Sequence, residues 1–202
     1  MSKTFVYTLI ICLFLKNASA AYSRSKAVAY AKDHVNNINH QCGNYLNCSP
    51  ASYWGNEHCG YQSQGGDCAN FVSQCIVLGG GHDKLKGGNC RGYPCGWEEV
   101  GAKRLGDCLQ DKGWTSTCGY LKEPPSNIKE GDVLIYHEGS CDGWDAHAVF
   151  VIKGGQIPRI ACHSNERYDV SYKYMGNSMP YYQWIHYKDW LKIIFRKNLK
   201  II

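Results

Sequence analysis

The chain is poor in charge: 19% of its 202 residues are Asp, Glu, Lys or Arg, with a formal net charge of +5. That surplus is small and scattered, so the chain lacks the concentrated basic face that nucleic acid binding requires. It also lacks low-complexity tracts and internal repeats, which excludes solenoids and repeat arrays. Beyond the first 20 residues no apolar run approaches the roughly 20 residues needed to span a bilayer. No glycine-rich phosphate loop follows a strand-like segment, so nucleotide binding has no support. Cys90 and Cys95 form the one cysteine pair at a zinc-like spacing. No second pair follows, and no metal or cofactor is expected. What the chain does have is 44% hydrophobic residues, enough to build a core.

The first 20 residues, MSKTFVYTLIICLFLKNASA, have a positive start at Lys3, an apolar run from Phe5 to Leu15, and the small-x-small site Ala18-Ser19-Ala20. This is the pattern of a secretory signal, with cleavage expected after Ala20 and a single domain over residues 21–202. The mature chain is then expected to be secreted, extracellular or in a lumenal compartment, with no membrane attachment and as a monomer. Cleavage removes Cys12 and leaves eleven of the 12 cysteines. A secreted chain this rich in cysteine is expected to be disulfide-bonded, and an odd count leaves at least one thiol over. Cys75, on a helix, and Cys162, on a strand, are alternative buried thiols if fewer bridges form.

Residues 24–38 carry Ala27, Val28, Ala31, Val35 and Ile38 at helical spacing. Residues 39–66 read as a loop held by disulfides, with Asn47-Cys48-Ser49 fitting a glycosylation pattern. Residues 67–78 read as a helix capped by Asp67 and stopped by Gly79-Gly80-Gly81. A less periodic helix is expected over 97–112 and turns over 113–131. Strands follow at 132–136, 147–153 and 157–164, the last two as a hairpin across Gly154-Gly155, with a further strand within 190–197. Helices first and a sheet second make the class α+β.

Cys68 falls at the first turn of the 67–78 helix, after two glycines. A helix start favours thiolate, and glycines let another chain approach. Position alone leaves both a nucleophile and one more half-cystine open. His147 opens the apolar strand AHAVFVI, and His163 follows sixteen residues later. A turn centred near Gly155 would oppose the two directly, with Cβ atoms roughly 4.5–5.5 Å apart. His163 could then orient His147, with Asn165 as the fallback; the bland alternative is two ordinary sheet residues. Oxyanion donors would be the Cys68 backbone N–H and a side chain from Gln62 or Gln64.

The stretch 65–74, GGDCANFVSQ, resembles the signature of the putative amidase domain family. That family stands with the NlpC-like and CHAP cell-wall hydrolases in the papain-like cysteine hydrolase superfamily. Tyr22-Ser23-Arg24 with AVAYA is similar to its opening helix. Gly79-Gly80, GDVLIY at 131–136, His147 in AHAVFV and CHSNE at 162–166 resemble its later segments. The resemblance implies a papain-like fold, with N-terminal helices and the nucleophile helix packed on an antiparallel sheet. It implies Cys68 as nucleophile, paired as thiolate with a His147 imidazolium, and His163 as orienter. Gln62, Asp67 and Asn165 become oxyanion or supporting residues. The expected activity is cysteine-dependent hydrolysis of amide bonds, with a peptide or peptidoglycan substrate and no cofactor. Two other readings remain: a general secreted cysteine peptidase, and a non-catalytic disulfide-rich binding module.

Overall fold

The structure is a computed structural model that describes residues 22–36, 55–56, 61–62, 68–83, 85–88, 90–91, 101–163, 167–175 and 178–188. The signal segment, the glycosylation pattern at Asn47, Asp67, Asn165 and the strand expected within 190–197 lie outside the described residues. For Gln62 only the backbone is described.

Helix α1 (Arg24–His34) is capped by the Ser23 side chain, which accepts from the Lys26 N–H. Its stripe of Ala27 and Ala31, continued by Val35, is buried as the spacing predicts. Short backbone pairs β1 (Gly55–Asn56) and β2 (Tyr61–Gln62) come next. Helix α2 (Cys68–Gln74) is buried along its whole length and runs into a π-helical turn, Cys75–Gly79. Small residues on α1 let it lie against that turn. A Cβ on Gly79 would come within 2.4 Å of Tyr30 Cβ, and one on Gly80 within 2.1 Å of Tyr22 Cε2, so only glycine fits either place. The short strands β3 (Lys86–Gly87) and β4 (Cys90–Arg91) pair with each other. Helix α3 (Ala102–Asp111) buries Leu105, Cys108 and Leu109, and a Cys90–Cys108 disulfide ties it to β4.

The remainder is a six-stranded antiparallel sheet in the order β5-β10-β6-β7-β8-β9. The strands are β5 (Thr115–Tyr120), β6 (Val133–His137), β7 (Ala146–Lys153), β8 (Arg159–Cys162), β9 (Arg167–Ser171) and β10 (Tyr181–His186). The architecture is therefore α+β. Alternate residues of β6 and β7 feed two different cores. Val133, Ile135, Ala148 and Phe150 face the helices, together with Cys68 and Phe71. Leu134, Tyr136, Val149 and Val151 share the other face with Tyr182 and Trp184 of β10, and Ile128 and Tyr172 join them in a second core cluster. Loop residues cover that second face. This is why β6 is buried at every position, although antiparallel strands commonly leave one face to solvent.

Three strands depart from the sequence reading. β5 occupies part of the segment read as turns, because Gly113, Gly119 and Pro124-Pro125 crowd its ends. β9 and β10 lack an unbroken apolar run; β9 is an edge strand left mostly exposed, and β10 is buried because it pairs with β5 and β6 on its two sides. The β7–β8 hairpin forms, but one residue out of the expected register. Phe150 opposes Ala161 and Val151 opposes Ile160, and toward the turn the register shifts once more, so that Lys153 opposes Arg159. A slip of one residue moves a side chain to the other face of the sheet. The direct opposition of His147 and His163 is lost with it.

Candidate active site

Helix α2 enters the core carrying polar side chains, and each has a use. Gln74 Nε2 donates to Asn70 Oδ1 at 2.5 Å, while Tyr30 of α1 donates its hydroxyl to Gln74 Oε1 at 3.0 Å. Two residues of the GGDCANFVSQ stretch are thus spent on seating the helix. Phe71, one turn beyond Cys68, stacks on the His163 ring at 4.0 Å. His163 lies 3.2 Å from the His34 carbonyl through Nε2; a carbonyl only accepts, so Nε2 carries the proton. His163 is therefore fixed in the helical layer, against the nucleophile helix and α1.

Cys68 is a thiol, 7% exposed, in the first turn of α2. Cys75 and Cys162 are also buried thiols. Two disulfides are described, Cys90–Cys108 and Cys118–Cys141. Full bridging with Cys68 as the sole thiol therefore does not occur. The fewer-bridges alternative holds for Cys75 and Cys162.

His147 occupies the second position of β7, opposite Tyr136 on β6. The two rings are nearly parallel at 6.3 Å, and the edge of Tyr174 meets His147 at 6.3 Å. Tyr174 follows β9 and touches Tyr136 edge-on at 5.7 Å. Its hydroxyl shares a 3.3 Å hydrogen bond with Cys162 Sγ. Burial, then the charges that Cys162 and Cys68 would carry as thiolates, hold the Tyr174 phenol far above its ordinary range. Tyr174 thus links His147 to Cys162 at the end of the sheet where β7 begins and β8 ends, while Cys68 packs in the core on the helical face. Sequence reasoning missed Tyr174, because a lone Tyr in a turn after an unread strand carries no pattern. It also missed His137, buried at the end of β6, which joins the Gly143 carbonyl to the Gln183 side chain. With the Cys118–Cys141 bridge, His137 fixes the loop that leads into His147.

Burial lowers the His147 pKa to about 4. That shift favours the neutral imidazole at neutral pH. The shift also couples to stability. A histidine whose folded pKa lies below the unfolded value of about 6.5 is protonated first in the unfolded chain, so stability falls as pH drops from there to about 4. The loss from His147 is on the order of 3 kcal/mol. Urea midpoints measured from pH 7 to pH 4 are expected to fall steeply in the native protein and less steeply in His147→Gln. An equally steep fall in the variant would place the titration elsewhere. His82 is the next candidate, since burial also lowers its pKa.

Among the described residues, no group of three or more His, Cys, Asp or Glu is placed to hold a metal ion. No described helix is long and apolar enough to cross a membrane. Against known proteins, the family model described as a putative amidase domain matches residues 21–187. No curated protein and no solved structure matches the chain.

Proposed function

Since the chain belongs to the putative amidase domain family, we propose that it is a secreted, papain-like cysteine hydrolase that cleaves amide bonds in the peptide part of bacterial peptidoglycan. The observation that supports this reading is the Cys68 thiol in the first turn of α2, in the same matched family region as the His147 imidazole that opens β7. A neutral imidazole is the form that can take a proton. As the Cys68 sulfur attacks the amide carbonyl, His147 accepts the thiol proton and the carbonyl oxygen gains the charge. The Cys68 backbone N–H, with the Gln62 side chain, is assigned to that oxyanion. Collapse breaks the C–N bond, and His147 passes its proton to the departing amine. Water, deprotonated by His147, then hydrolyses the thioester and restores the thiol. In this scheme His163 supports the nucleophile helix through Phe71, and Asp67 and Asn165 flank the two catalytic segments.

The choice of peptidoglycan rests on the resemblance of the GGDCANFVSQ stretch to cell-wall hydrolases. Purified sacculi and casein, incubated in parallel with the protein, test it by mass spectrometry of released fragments. Muropeptides with new amino termini, and intact casein, are expected. Cleaved casein with intact sacculi would replace this reading with a general cysteine peptidase. No cleavage of either, together with a Cys68 that iodoacetamide does not alkylate in the native protein, would leave a binding module.

A further inference from the structure

We propose that Tyr174, anchored by the Cys162 thiol, is the positioning residue that holds the His147 imidazole for catalysis. This rests on the reading of His147 as the base. A catalytic imidazole needs a fixed orientation, which in the best-known triads comes from a carboxylate or amide hydrogen bond to the second ring nitrogen. Among the described residues, no hydrogen bond reaches either ring nitrogen of His147. Its ring is contacted instead by two aromatic rings. Tyr136, opposite it on β6, lies nearly parallel to it, and Tyr174 meets it at 72°. Edge-to-face contacts at such centroid distances are attractive and directional.

The two tyrosines differ in how firmly they are held. Tyr136 is buried on β6, and its hydroxyl donates to the Tyr172 carbonyl at 2.5 Å. Tyr174 lies in the turn after β9, outside any strand. Its ring contacts Tyr136 and His147, and its hydroxyl contacts Cys162 at the end of β8. Tyr174 therefore links β8 to the first residues of β7. The groups around the imidazole are Tyr136 from β6, Tyr174 from that turn and, through Tyr174, Cys162 from β8; the charge of a Cys68 thiolate would also be felt at the Tyr174 hydroxyl. Arg167 on β9 is the cation felt at the Tyr174 hydroxyl. Burial keeps both tyrosines uncharged at neutral pH. The clamp thus holds the ring between two uncharged side chains.

The test uses Tyr174→Leu and Tyr174→Phe in the full chain. Removing the ring is expected to lower kcat roughly 30-fold with little change in KM, as misplacement of a catalytic group does. The Phe variant keeps the ring and is expected to recover most of that loss. A merely structural tyrosine would not move the base itself. Each variant is therefore also made with Cys68→Ala, and the His147 Cε1–H signal is titrated by NMR, which requires no turnover. Leucine is expected to raise the His147 titration point from about 4 by more than one unit, with phenylalanine close to native. An unmoved titration point, or an unchanged kcat in the Leu variant, overturns the proposal. Should the Leu variant fail to fold, Cys162→Ala loosens the anchor alone. The same signs at smaller size are then expected, and no change in either readout overturns the link from thiol to imidazole. A native protein that cleaves no amide would sink the function but leave the titration to decide the clamp.

Discussion

A Cys68→Ala variant is expected to hydrolyse amide substrate at least about a thousandfold more slowly than the native protein while keeping its melting temperature within a few degrees. The thiol is the one covalent participant in the scheme, so no other group can replace it. The structural cost is small, because Cys68 belongs to neither of the two described disulfides and alanine suits a helix. His147→Ala is expected to lose comparable rate for a different reason. The neutral imidazole both accepts the thiol proton and returns it to the leaving amine, and general acid–base assistance contributes about 10²–10⁴-fold. The two variants are separated by alkylation. Cys68→Ala removes one iodoacetamide site outright. His147→Ala keeps the site but slows its labelling near neutral pH, because no neighbouring base remains to take the proton. A Cys68→Ala protein with more than a tenth of native turnover would end the covalent mechanism. An active His147→Ala protein would move the base to another side chain.

The parts of the molecule legible in the sequence were those where local pattern and tertiary burial agree. α1 shows this in its Ala27, Ala31 and Val35 stripe, and β6 and β7 in their apolar runs. β5, β9 and β10 were not legible, because their place is set by partners far away in the chain. Gln183, for example, is nearly buried in a strand by pairing with Cys118 on one side and Ile135 on the other. The candidate site divides in the same way. Cys68 and His147 announce themselves at the start of a helix and of a strand. The relation between His147 and His163 depended on a hairpin register that the chain does not adopt, since Lys153 pairs with Arg159 and Phe150 with Ala161. Tyr174 was beyond reach for a further reason: its role comes from three contacts, to Tyr136, His147 and Cys162, that no spacing encodes. Motif and catalysis are also not the same thing. Asn70 and Gln74 belong to the most recognisable stretch of the chain, yet they bond to each other inside the core.

The GDVLIY segment makes that distinction testable, because Asp132 is expected to be the most costly single residue to remove for stability. Its carboxylate is fully buried before β6, at the end of the sheet remote from His147. Oδ1 accepts from Arg24 Nη1 at 2.6 Å and from the Tyr187 N–H at 3.1 Å. Oδ2 accepts from the Lys129 N–H at 2.8 Å and lies 2.7 Å from His186 Nδ1. Arg24 also reaches the Glu130 and Tyr187 carbonyls, so one ion pair fastens the start of α1 to both β6 and the segment after β10. Asp132→Ala leaves a half-buried guanidinium whose Nε already lacks a partner, plus two backbone donors with nothing to bond. Breaking a buried pair on one side costs about 3–5 kcal/mol, which in a domain of this size lowers the melting temperature by roughly 10 °C. Asp132→Asn is expected to fare little better. Its NH₂ must replace one acceptor oxygen, and each oxygen faces a backbone N–H donor. A double-mutant cycle with Arg24→Met isolates the ion pair. The double variant should be more stable than the sum of the single losses predicts, because the orphaned charge is gone. Loss of less than about 1 kcal/mol in Asp132→Asn would refute the clamp. Because the clamp lies at the far end of the sheet, the folded fraction of either variant is expected to keep native kcat. Stability would then fall without activity per folded molecule, the reverse of the pattern expected for Cys68→Ala.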